Sequence, residues 1–145
     1  FKGVEHRLEY VRTINEAVYI NDSKATNIDS VIVAINTYKQ PIVLILGGFN
    51  KGANFRLLLP HIKSSHVRDI VSYGDAGGQI NTALGDAVRS VQVTDLSSAV
   101  KKAQLMAAPG DIVLLSPGCA SYDEFSNFEE RGNHFKSIIK SLAAS

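Results

Sequence analysis

Ile42-Val43-Leu44-Ile45-Leu46 is an unbroken aliphatic run, entered after Pro41 and left at Gly47. A strand with one wet face alternates apolar and polar residues. A run with no polar member needs cover on both faces, as inside a parallel sheet. Ile112 to Leu115 repeats the pattern, Val67 to Tyr73 reads as a further strand ending at Gly74, and Val91-Gln92-Val93 as a short one. Between these runs the period changes to that of helices. Ile28, Val31, Ile32 and Ile35 share one face of a segment reaching Tyr38; Phe55 to Ile62 reads as helical; residues 76 to 84 form a weak helix, interrupted by Gly77-Gly78. Leu96 to Ala107 is amphipathic with Asp95 as its cap, Pro109-Gly110 breaks it, and Phe128 to Leu142 closes the chain as a helix. Ahead of all this, Glu9 to Ile14 alternates like a strand and turns at Asn15-Glu16 into Ala17 to Asn21. Strands alternating with helices predict an α/β fold: a mainly parallel sheet, one antiparallel strand from the hairpin, and helices on both faces.

The 145 residues suit one domain, able to bury a core without disulfide or metal. Net charge is +1 with the charges interspersed, which argues against a nucleic-acid-binding stripe. Cys119 is the one cysteine, so no intrachain disulfide can form. No apolar run approaches a membrane span and no signal-peptide pattern opens the sequence, so a cytoplasmic setting without membrane attachment is expected. A start at Phe1 rather than methionine reads as a piece of something longer.

In open α/β sheets, ligands lie beyond the carboxyl ends of the strands. Three such junctions are rich in polar groups: Asp22 to Asn27, Gly47 to Gly52, and Ser116 to Phe128. In the first, Thr26 or Asn27 can cap the next helix, but capping leaves Lys24 unexplained. A lysine there adds positive charge to the positive end of the helix dipole, a conflict that a bound anion relieves. In the second, the glycines of Gly47-Gly48-Phe49-Asn50-Lys51-Gly52 do not make a phosphate loop, because Lys51 precedes the second glycine element and Ala53-Asn54 follows it. Lys51 is then either a solvated turn residue or a second cation over the same sheet edge. In the third, Cys119 reads as packed core; a nucleophile would need His134 or His6 as base and Asp123 as orienter. Glu129-Glu130-Arg131 reads as a charged first helical turn, and His6-Arg7 as a surface pair. No HExxH or CxxC marks a zinc site, and no metal ligand is assigned.

Taken in order, five stretches carry a resemblance. They are Phe1-Lys2-Gly3-Val4-Glu5-His6-Arg7-Leu8-Glu9; Asp22-Ser23-Lys24-Ala25-Thr26-Asn27; Gly47-Gly48-Phe49-Asn50-Lys51-Gly52-Ala53-Asn54-Phe55; Leu115-Ser116-Pro117-Gly118-Cys119-Ala120-Ser121; and Asn127-Phe128-Glu129-Glu130-Arg131-Gly132. The series resembles the C-terminal domain of the Mur ligases of peptidoglycan synthesis, over residues 1 to about 142. The last two stretches favour the members that join D-glutamate to UDP-N-acetylmuramoyl-L-alanine.

The resemblance implies a Rossmann-like domain, the third of three, with the UDP-binding and ATPase domains absent from this chain. It implies ATP and Mg2+ as cofactors of the whole enzyme, bound mainly by the missing central domain, and a monomer. It also distributes roles. Thr26, Lys51, Ser121 and the Phe128 N–H would hold the carboxylates of D-glutamate. Lys24 would face the reacting acyl phosphate, Arg7 with His6 would reach ATP, and Asp22 would accept from its ribose. Gly118 stands where alanine is common in the family, a small-for-small exchange. The fragment alone is expected to be inactive. The same domain of a folylpolyglutamate-type ligase, or a stand-alone nucleotide- or anion-binding module, is the alternative.

Overall fold

The computed structural model describes residues 3–143. Phe1 and Lys2, at the head of the first resembling stretch, lie outside the described residues. Six strands form one sheet: β1 (Glu9–Ile14), β2 (Ala17–Asn21), β3 (Ile42–Gly47), β4 (Val67–Tyr73), β5 (Arg89–Gln92) and β6 (Ile112–Leu115), in the order β1-β2-β6-β3-β4-β5. Only the β1–β2 hairpin is antiparallel; every other neighbouring pair runs parallel. The hairpin turns at Asn15 and Glu16, both at positive φ, as a tight strand-to-strand reversal requires.

The aliphatic run of β3 now has its explanation. Ile42, Leu44 and Leu46 enter one core with Val31 and Ile35 of α1 (Ile28–Thr37), Ile62 of α2 (Leu59–Ser64), and Ile80 and Leu84 of α3 (Gly77–Leu84). Val43 and Ile45 point to the other face. There they meet Leu96, Val100 and Ala103 of α4 (Leu96–Met106), and Phe135 and Ile139 of α5 (Phe128–Ser141). A strand buried on both faces has no place for a polar side chain.

Local chemistry sets the boundaries. The predicted helix over residues 55–62 divides into a 3-10 turn, Phe55–Leu58, and then α2, with Pro60 in the first turn where no N–H is needed. The short strand predicted at 91–93 begins two residues and ends one residue earlier, because Asp69, Ile70, Val71 and Ser72 of β4 pair with Arg89, Ser90, Val91 and Gln92. Arg89 also donates to the buried Asp69 carboxylate at 2.8 Å, which fixes that register. Asp95 does cap α4, its carboxylate accepting from the Ser98 N–H at 2.8 Å. Asp95→Ala is therefore expected to lower unfolding free energy by about 1 kcal/mol in urea denaturation. Among the described residues no helix is long and apolar enough to cross a membrane.

Candidate functional site

The three polar junctions leave from β2, β3 and β6, which are neighbours in the sheet in the order β2-β6-β3. Their backbones tie to one another directly. The Asp22 N–H donates to the Leu115 carbonyl at 2.8 Å, Gly118 N–H to Ala25 at 2.8 Å, and Gly47 N–H to Pro117 at 3.1 Å. Phe49 and Ala120 exchange both hydrogen bonds, at 2.8 and 3.1 Å, which fixes the lysine-bearing turn against the serine-bearing loop. Gly118 has φ 70, a conformation an alanine resists. What matters at that position is backbone freedom, and not small size alone as the resemblance suggested.

Two adjoining cavities open over this edge. One, of about 340 Å³, is lined by Thr26, Lys51, Ala120, Ser121, Tyr122, Asn127, Phe128 and Glu129. The other, of about 430 Å³, is lined by Arg7, Asp22, Lys24 and the α1 residues Ser30, Val33 and Ala34 among others. Thr26 and Phe128 belong to both walls. The four residues that resemblance assigned to D-glutamate thus share one cavity, and three of the four it assigned to ATP and the acyl phosphate share the next.

Each group has a structural reason for its position. Asn27 is the helix cap, accepting from the Ser30 N–H at 2.9 Å. That choice leaves the Thr26 hydroxyl without a protein partner among the described residues. Lys24 is exposed and, among the described residues, makes no ion pair; its N–H is held by the His6 carbonyl at 3.0 Å. Lys51 lies 4.7 Å from the centre of the Tyr122 ring, a cation–π contact that aims its ammonium along the cavity wall. Phe128 begins α5, so its N–H has no carbonyl within the helix to bond.

Asp22 is nearly enclosed, its carboxylate accepting from the Ser116 hydroxyl at 2.8 Å and the Leu8 N–H at 3.1 Å. Burial pushes its pKa up to about 6, against the pull of those two donors and of Arg7.

His6 does not line either cavity. It is buried, with Nδ1 accepting from the Asn21 amide at 3.0 Å and its ring edge-on to Phe128 at 6.0 Å. Because the amide is the donor, the ring is the neutral tautomer with its proton on Nε2. Of the His6-Arg7 pair, Arg7 lines the second cavity and His6 does not.

Two other expectations change. Burial pushes the Cys119 thiol up to about 12, while His134 is engaged by Ser97 at 3.1 Å, so the nucleophile reading fails. Arg131, read as part of a charged surface turn, is 1% exposed. It donates to the Ser23 hydroxyl at 2.9 Å, the Ser23 carbonyl at 2.7 Å and the Cys119 carbonyl at 3.0 Å. The signal available in sequence was Gly132 beside it, which lets α5 approach the sheet edge closely. Among the described residues no three His, Cys, Asp or Glu side chains gather to hold a metal.

The family profile described as "Mur ligase, glutamate ligase domain" matches residues 6–119. A UDP-N-acetylmuramoylalanine–D-glutamate ligase of Desulfatibacillum aliphaticivorans is 43% identical over 144 residues, covering 99% of this chain and 32% of that protein. The chain therefore spans about a third of the curated relatives it matches. Among solved structures, a UDP-N-acetylmuramate–alanine ligase of Thermotoga maritima superposes with TM-score 0.66 at 16% identity, over 97% of this chain and 31% of that one. A bifunctional folylpolyglutamate synthase/dihydrofolate synthase of Yersinia pestis gives 0.67 at 16%, over 94% and 32%. These structural likenesses carry the fold; the sequence match carries the lineage. The chain belongs to the Mur ligase family, as its glutamate ligase domain.

Proposed function

We propose that this chain is the C-terminal domain of an ATP-dependent ligase that joins D-glutamate to UDP-N-acetylmuramoyl-L-alanine, and that its part is to hold D-glutamate. The observation that carries the reading is the gathering of Thr26, Lys51, Ser121 and Phe128 around one cavity of about 340 Å³. D-glutamate brings two carboxylates and an amine. A cation, two hydroxyls and a helix-terminal N–H are donors matched to carboxylates. The lineage of the D-glutamate-adding relatives supports the same choice of amino acid.

In this reading the amine of D-glutamate attacks the carbonyl carbon of an acyl phosphate. The amine nitrogen loses a proton, the tetrahedral intermediate expels phosphate, and an amide remains. Negative charge grows on the carbonyl oxygen and the departing phosphate, where a fixed cation is worth most. Lys24, exposed in the adjoining cavity and free of ion pairs among the described residues, suits that task. Arg7 and Asp22 on the same wall suit a nucleotide's phosphates and ribose hydroxyls. ATP itself, with its Mg2+, is proposed to be bound mainly by domains outside this chain. The protein is proposed to act as a cytoplasmic monomer.

Titration of the chain with D-glutamate is expected to shift the amides of Thr26, Lys51, Ser121 and Phe128 in NMR spectra. Lys51→Ala is expected to weaken that binding by about tenfold or more, as loss of a charge-assisted hydrogen bond does. Equal shifts with L-glutamate would count against D-glutamate as the ligand and for a folylpolyglutamate-type acceptor. ATP turnover by the chain alone would contradict the division of labour proposed here.

A further inference from the structure

Arg131 is a buried cation with no carboxylate at ion-pair distance among the described residues, and none of the proposed chemistry uses it. Its three hydrogen bonds all end on neutral oxygens. Buried charges are ordinarily paired, because removal from water is expensive and neutral acceptors offset only part of it. The position of this one is informative. Ser23, which takes two of its donors, lies between Asp22 and Lys24 on the wall of the larger cavity. The Ser23 hydroxyl passes the link on, donating at 2.7 Å to the carbonyl of Phe128. Cys119, which takes the third donor, immediately precedes Ala120 and Ser121 on the wall of the smaller one. A side chain added at Gly48 would meet Nη1 at 3.2 Å, so the guanidinium also abuts the turn that carries Lys51.

We infer that Arg131 is a positioning residue for the anion site: it ties the loops after β2 and β6 together beneath the turn that follows β3, and its unpaired charge is compensated when an anion occupies the cavities above. The inference rests on the anion-holding role proposed for those cavities. Geometry distinguishes it from an ordinary structural arginine. A structural guanidinium needs only acceptors, whereas this one lies where all three ligand-bearing loops converge and keeps its charge unneutralised. A low-dielectric position lets that charge act on the cavities with little screening.

The test compares wild type, Arg131→Gln and Arg131→Lys, with circular dichroism to establish folding. Affinities are measured by NMR titration for D-glutamate, for D-glutamine, which carries one carboxylate fewer, and for inorganic phosphate. Folded Arg131→Gln is expected to lose about tenfold or more of its affinity for D-glutamate and phosphate, and less for D-glutamine, so that the preference for D-glutamate narrows. Loosened loops alone would weaken both amino acids equally, and an unchanged D-glutamate to D-glutamine ratio in folded Arg131→Gln overturns the inference. Arg131→Lys keeps the charge and loses the three-way fork; both affinities are expected to fall with the ratio retained. Should Arg131→Gln fail to fold, the lysine variant decides: binding both amino acids as wild type does would overturn the inference. Wild type that binds phosphate and not D-glutamate would sink the D-glutamate reading, and Arg131 is then judged on phosphate alone. Wild type that binds neither anion overturns both.

Discussion

Gly132→Ala is expected to destabilise the domain, although alanine is the better helix former. Gly132 is the fifth residue of α5, where intrinsic propensity alone would favour the change by about 1 kcal/mol. The new methyl group would point at the His6 ring, 2.7 Å from Cε1 and nearer still to Nδ1, and 3.1 Å from the Asn21 amide nitrogen. The ring has nowhere to retreat. It is buried, bonded to Asn21, packed edge-on to Phe128, and carried by a residue at φ 65. Overpacking of this kind outweighs the propensity gain, and the net loss should be about 2 kcal/mol, a fall in Tm of about 5 °C. His6→Ala alone costs about 1 kcal/mol by leaving the Asn21 N–H short of an acceptor. The double variant His6→Ala/Gly132→Ala should recover much of the loss, because the methyl group then occupies the vacated space. Calorimetry on the four proteins of this cycle provides the measurement. Gly132→Ala as stable as wild type would mean that α5 is not held against His6 as described.

Asp22→Asn is expected to work in the opposite direction, stabilising the domain at about pH 7. Burial raises the folded-state pKa of Asp22 to about 6 from an ordinary 3.8. The folded protein therefore binds this proton more tightly than the unfolded chain does. Stability from this group falls as pH rises from about 4 to about 6, and the full penalty is present above that. Removing the charge relieves the penalty, and the asparagine can still accept from Leu8 and bond to Ser116. The gain should be about 2 kcal/mol at neutral pH and should vanish near pH 4. Urea unfolding of both proteins across that range checks it. A variant no more stable than wild type at neutral pH would show that the Ser116 and Leu8 hydrogen bonds outweigh the cost of burial. A carboxylate kept where a neutral residue would hold the fold better is the mark of a position under functional demand.

Much of this was legible in the sequence, for stateable reasons. The run Ile42 to Leu46 could only be a doubly buried strand, and the rule that ligands gather beyond strand ends then pointed to all three loops. Lys24 beside a helix start and Lys51 in a glycine turn stood out because local structure gave them no task. Less could be read where a residue's meaning depends on what lies across the fold. Arg131 looked like a surface charge because two glutamates precede it, and only the convergence of Ser23 and Cys119 reveals its burial. His6 was read with Arg7 as one ligand-facing pair. Consecutive residues at a turn point in different directions, and Arg7 lines the cavity while His6 supports its floor. Helix periodicity also missed the 3-10 turn at Phe55–Leu58, since four residues are too few to distinguish a period of 3.0 from one of 3.6.

The order of the strands has a further consequence, for how the chain is assembled in time. β6, residues 112–115, inserts between β2 and β3; its Ile112 pairs with Val18, 94 positions earlier, and with Ile42, 70 positions earlier. A growing chain emerges with β2 and β3 complete but without the strand that joins them. Until Ile112 to Leu115 arrive, the edges of both strands stay open, and the loops that form the cavities have no common frame. Closure is a late event between distant parts of the chain, the kind that slows folding and leaves apolar edges exposed meanwhile. The edge that carries the two cavities thus comes into being last, in the step that also seals the sheet, so a chain truncated before residue 112 would lack both.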